Sequence, residues 1–164
     1  MIRALVSAIL AALTAFPVLA AVEIKEITSP GGIKAWLVEE HSIPFVALEL
    51  RFRGGTSLDA PGKRGAINLM TALIEEGAGE LDSQGFAAAR ESLAADITFD
   101  SYSDAVSVSA RFLTENRDAS TDLLRKALTE TRFDPDAVER VKAQVASIIQ
   151  SEEKDPERIA GKAF

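Results

Sequence analysis

The spacing of apolar residues changes character along this chain, and that change limits the folds open to it. From Val22 to Ile27 apolar and polar residues alternate, the period of a half-buried strand. Ser29-Pro30-Gly31-Gly32 interrupts the run as a turn, and Ile33 to Glu39 supplies a second short strand. Phe45 to Phe52 gives a third, with Phe45, Ala47 or Leu48, Leu50 and Phe52 available for one buried face. After Gly54-Gly55 and Asp59-Ala60-Pro61-Gly62 the period shifts. From Gly65 onward Ile67, Met70, Leu73 and Ile74 recur at intervals of three and four, which predicts a helix that Gly77 stops. A second helix is expected from Ser83 to about Ala95, capped by Asp82 or Ser83 and burying Phe86, Ala89 and Leu93. Alternation returns in Ile97-Phe99 and in Val106, Val108, Ala110 and Phe112, which predicts a hairpin or two adjacent strands. Ala119 to Arg132 then carries Leu123, Leu124, Ala127 and Leu128 on a helical face. Asp134-Pro135 starts a last full helix that is expected to bury Val138, Val141, Val145, Ile148 and Ile149.

Three strands, two helices, two strands and two helices make an α+β layout: a mostly antiparallel sheet packed against helices. Its 164 residues suit one domain, 47% of them are apolar, and 26% are charged, which is the usage of a folded soluble protein. The net charge of −7 is spread along the sequence, with no basic stripe to release counterions from phosphates, so nucleic acid is excluded as a partner. There is no cysteine, hence no disulfide, no thiol nucleophile and no thiolate ligand.

The first residues read as a targeting segment. Met1 to Arg3 give a positive start, Ala4 to Phe16 an apolar run, and Pro17-Val18-Leu19-Ala20 a small-residue end suited to cleavage after Ala20. Residues 1–20 are therefore expected to be a signal peptide and 21–164 the mature domain, periplasmic or secreted, meeting the membrane only during export. Asp155-Pro156 opens what reads as a further helix, so the domain is expected to be incomplete at its C-terminus.

Arg53-Gly54-Gly55-Thr56-Ser57-Leu58-Asp59, followed by Gly65-Ala66-Ile67-Asn68-Leu69-Met70-Thr71-Ala72, resembles the opening of the insulinase and pitrilysin zinc peptidases. In that family a strand ends in a glycine-rich turn, and the next helix carries H-x-x-E-H, whose histidines grip zinc while the glutamate acts as general base. The resemblance puts Asn68 at the first histidine, Thr71 at the glutamate and Ala72 at the second histidine. The third ligand would fall near Ser147 or Ile148, neither of them acidic. Counting residues reaches the same end, because a chain with one histidine and no cysteine cannot assemble an ordinary zinc site. No catalytic residue, metal or other cofactor is expected.

Other candidates have plainer readings. His41, after Glu39-Glu40, reads as an exposed loop residue. Glu75-Glu76 with Glu152-Glu153 could be imagined as a carboxylate cluster but read as solvated helix ends. Serines abound, yet one histidine and no nucleophile-elbow pattern leave a Ser-His-Asp arrangement unsupported. The resemblance also implies that the segment holding Ile97, Thr98 and Phe99 is an edge strand that accepts an extended peptide by strand addition. The function it implies is that of a non-catalytic subunit, or inactive half, which pairs with a zinc-bearing homologue as a heterodimer and helps enclose a peptide substrate. The alternative is a periplasmic binding or structural module that keeps the fold without a proteolytic role.

Overall fold

The computed structural model describes residues 22–152 and 154–156. The expected signal peptide, Glu153 and the helix expected beyond Asp155-Pro156 lie outside the described residues, apart from Lys154 to Pro156 themselves. Among the described residues there are seven strands and four α-helices, divided into two compact units that meet in sequence at Ile43 and Pro44.

The first unit contains an antiparallel hairpin of β1 (Ile24–Thr28) and β2 (Lys34–Val38), in register from Ile24 opposite Val38 to Thr28 opposite Lys34. The Ser29-Pro30-Gly31-Gly32 turn closes it. Ser29 N–H donates to the Ile33 carbonyl at 2.8 Å, and the Ser29 hydroxyl oxygen accepts from Ile33 N–H at 3.0 Å. Lys34 pairs with Glu26 at 2.9 Å, and Lys25 with Glu39.

The second unit is built on a three-stranded antiparallel sheet ordered β3 (Phe45–Arg53), β7 (Ala105–Leu113), β6 (Asp96–Ser101). One face of this sheet is apolar because alternate residues of each strand point the same way. Ile97 and Phe99 from β6 and Val108, Ala110 and Phe112 from β7 enter a core completed by Phe86 of α2 (Ser83–Ser92) and by Leu123, Leu124 and Ala127 of α3 (Arg117–Thr129). Burial of each large side chain in this set contributes about 1.5–3 kcal/mol. Helix α1 (Ala66–Leu73) continues as a 3-10 turn, Ile74–Glu76, and lies against β6 and α4 (Pro135–Glu152). The fold is α+β with every strand pair antiparallel, as the residue periods predict.

Four expectations need correction. Of the residues offered for the buried face of β3, Leu48 and Leu50 pack on the core together with Val46, whereas Phe45 and Phe52 are exposed. Within unit two β3 pairs with β7, joining segments far apart in sequence. Met70 of α1 is exposed while Thr71 is buried, and Ile148 of α4 is exposed. A tiny hairpin, β4 (Gly77–Ala78) with β5 (Leu81–Asp82), follows α1 where only a helix stop is expected, and Ala78 bridges to Thr131. Two-residue strands are too short to leave a periodic trace in sequence.

Candidate functional site

The glycine-rich turn and helix α1 are placed by backbone geometry that the sequence prescribes locally. Gly55 is buried against the tip of the β6–β7 hairpin, where an added Cβ would lie 2.0 Å from the Tyr102 carbonyl oxygen and 2.8 Å from Ala105 N. Only glycine allows that approach. The turn is laced there by Gly54 N–H to the Asp104 carbonyl (2.7 Å) and Thr56 N–H to the Tyr102 carbonyl (2.8 Å). Gly65 adopts φ 92° and opens α1, and a Cβ on it would meet Ile149 Cδ1 at 2.7 Å. The helix start is capped from a distance: Asp59 Oδ2 accepts from Gly65 N–H (2.7 Å) and Asp59 Oδ1 from Ile67 N–H (3.0 Å). Asp59 therefore satisfies amides that would otherwise be orphaned at the helix start.

Helix α1 turns Asn68, Thr71 and Ala72 into a cleft of ≈360 Å³ between itself, the end of β6 and α4. The other walls are Glu75, Phe99, Asp100 and Ser101 on one side and Val145, Ile148 and Ile149 on the other. The three positions that the resemblance singles out thus come together, and of Ser147 and Ile148, where it would put a third ligand, Ile148 faces the same space. What they offer is poor metal chemistry. Asn68 Oδ1 accepts from the Ser101 hydroxyl, and Thr71 Oγ1 donates to the Ile67 carbonyl at 2.8 Å. Ala72 brings only a methyl group. Among the described residues no three His, Cys, Asp or Glu side chains gather around one point, and zinc does not fit this donor set.

The glutamates that follow are held by arginines. Glu75 Oε2 accepts from Arg90 Nη1 at 3.1 Å, and the same nitrogen reaches the Ile97 carbonyl at 3.3 Å. Glu76 makes a two-pronged pair with Arg140 of α4, at 3.0 and 2.6 Å. The hydrogen bond from Arg140 holds the Glu76 carboxyl below its usual pKa, a smaller contribution coming from Ser83, while burial opposes both. A paired carboxylate in such a fork is a structural clamp rather than a free acid or base. His41 sits exposed in the first unit.

Ile97, Thr98 and Phe99 lie on β6, an outer strand of the sheet. Ile97 and Phe99 bury their side chains in the core, and Thr98 faces out. Their backbone is another matter. Tyr102 N–H donates to the Ala105 carbonyl at 2.8 Å, and the alternation of an antiparallel ladder then turns the amides of Asp100, Thr98 and Asp96 toward β7. The amide groups of Ile97, Phe99 and Ser101 consequently face away from β7; at Ile97, which is fully buried, that side is occupied by Arg90, which reaches its carbonyl. Sequence reasoning overlooked Ser101, Val145 and Ile149 as cleft residues. The one available signal was α4's stripe of Val145, Ile148 and Ile149, which by period alone is indistinguishable from core.

No family model matches the chain. Over 122 residues, 74% of its length, it is 30% identical to the non-peptidase homologue YmxG of Helicobacter pylori, of which it covers 28%. Its structure resembles the inactive peptidase M16 domain of Pseudomonas fluorescens, with a TM-score of 0.78 at 25% identity, over 85% of this chain and 34% of that one. A protease of Helicobacter pylori shares the fold at 14% identity, with a TM-score of 0.72 over 84% of this chain and 33% of that one. The chain thus spans about a third of the length of these relatives. They bear out the resemblance to the insulinase-like peptidases, and they do so for a chain without the H-x-x-E-H donors.

Proposed function

We propose that this insulinase-like chain, with an amide, a hydroxyl and a methyl group where the zinc-binding side chains would stand, is the non-catalytic member of a peptidase assembly. Its role there is to help enclose an extended peptide beside a zinc-bearing homologue. The carrying observation is the cleft: Asn68, Thr71 and Ala72 still line one space with the end of the open-edged strand β6. Zinc does not fit that donor set, and the edge strand beside the cleft supports a peptide-holding role. The outward amides of Phe99 and Ser101 can extend the sheet by one strand, with affinity coming from main-chain hydrogen bonds. The same reading places the protein in the periplasm or outside the cell, with residues 1–20 removed after Ala20.

Affinity isolation of the tagged full chain from its native host, followed by mass spectrometry, tests the assembly. A homologue bearing an intact H-x-x-E-H at equal stoichiometry is the expected result. Recovery of the chain without one leaves the alternative of a periplasmic binding or structural module.

A further inference from the structure

We infer that the cleft has become a side-chain pocket, selective for an extended peptide that places a bulky apolar residue in it with no acidic residue alongside. This rests on the peptide-enclosing reading above and specifies which peptides that site takes. Three features of the cleft point to it. Val145, Ile148 and Ile149 form an apolar wall along one face of α4, and Ile148 remains 51% exposed, so apolar surface is open to a ligand instead of being spent on the core. Opposite lies the end of β6, where the outward amides of Phe99 and Ser101 can pair with a peptide backbone and so bring every second side chain toward one face of the added strand.

The third feature is charge. Glu75 lines the cleft already paired with Arg90, and among the described residues no lysine or arginine forms its walls. Arg90 is turned to Glu75 and to the Ile97 carbonyl, so it is already engaged. An acidic side chain would meet an apolar wall and a carboxylate whose arginine is already taken, a combination that rejects it by lost hydration. The volume of ≈360 Å³ is at the low end of the roughly 300–1,000 Å³ typical of ligand clefts, which suits one large side chain and its flanking backbone better than an organic cofactor. Asn68 also fits this role, because its bond to Ser101 fixes the rim of the strand where the peptide would pair.

Fluorescence anisotropy on the full chain tests the assignment, using two labelled, otherwise identical uncharged ten-residue peptides with leucine or aspartate at one central position. The leucine peptide is expected to bind at least about tenfold more tightly, as burial of a leucine side chain allows. In Ile148→Lys, a change at an exposed position that leaves the core intact, this preference is expected to shrink to within about twofold, because the wall loses apolar area and gains a cation that favours aspartate. Equal affinities in the unaltered chain, an unchanged preference in Ile148→Lys, or no binding of either peptide would overturn the pocket. None of those results bears on whether a zinc-bearing homologue co-purifies, so the pocket and the assembly can fail separately.

Discussion

Asp59 does for helix α1 what a capping side chain normally does from the adjoining position, reaching across six residues to accept from two amides at once. Its leverage is large because α1 is short, begins at a left-handed glycine and has no side-chain cap of its own. Replacing it with alanine leaves the Gly65 and Ile67 amides without their acceptor. Asp59→Ala is therefore expected to lower stability by about 1 kcal/mol, in the usual range for lost caps, measured by urea denaturation followed by circular dichroism. An unchanged midpoint would mean that water replaces the carboxylate at no cost. The glycine at position 65 could be anticipated from the switch of period, but the partner that caps the helix could not, because a link across a six-residue turn leaves no periodic signal.

Among the elements, α1 and α4 form the two sides of the cleft, and the Glu76–Arg140 fork links the end of α1 to α4. Folding lowers the Glu76 pKa, chiefly through the hydrogen bond from Arg140, so the folded chain holds this proton less tightly than the unfolded one. Its contribution is then complete above the unfolded value of about 4.3 and is lost as pH falls through the lower folded value. Arg140→Gln removes the cause of the shift. Denaturation curves of the two proteins are expected to differ at neutral pH and to converge as the pH falls through the lowered folded value, below which the carboxylate is protonated in both. A difference that stays the same across the whole acid range would show that Arg140 acts through packing alone. The elements themselves were largely visible in the residue periods: all four helices and the β6–β7 hairpin lie close to where alternation and three-four spacing predict them. The pairing of β3 with β7 was not, since register between distant strands is set by which faces the core buries.

For the molecule as a whole, the decisive property is a fold that persists without the donors that would make it a metal site. Asn68 and Thr71 are engaged with Ser101 and the Ile67 carbonyl, Ala72 offers no lone pair, and Glu75 and Glu76 are paired with arginines. Purified full chain is accordingly expected to carry well under one equivalent of zinc by elemental analysis and to leave peptides uncut when alone. A metal content near one per chain, surviving dialysis, would refute this account of the cleft. Similarity to proteins about three times as long also means that what an assembly does with the cleft is a property of more than these residues.

Donor chemistry was legible in the string of residues: one histidine and no cysteine follow from composition, and the resemblance of the Arg53–Ala72 stretch implies the wrong side chains at three motif positions. So did the α+β alternation, because strand and helix periods are local consequences of backbone geometry. Three-dimensional packing had to decide the rest. It buried Thr71 and exposed Met70, turned α4's apolar stripe partly outward at Ile148, and brought that stripe beside Ser101 and Asn68 to make a cleft. Those outcomes depend on contacts between segments up to about eighty residues apart, and a periodic pattern says which face of an element is apolar but not what that face will meet.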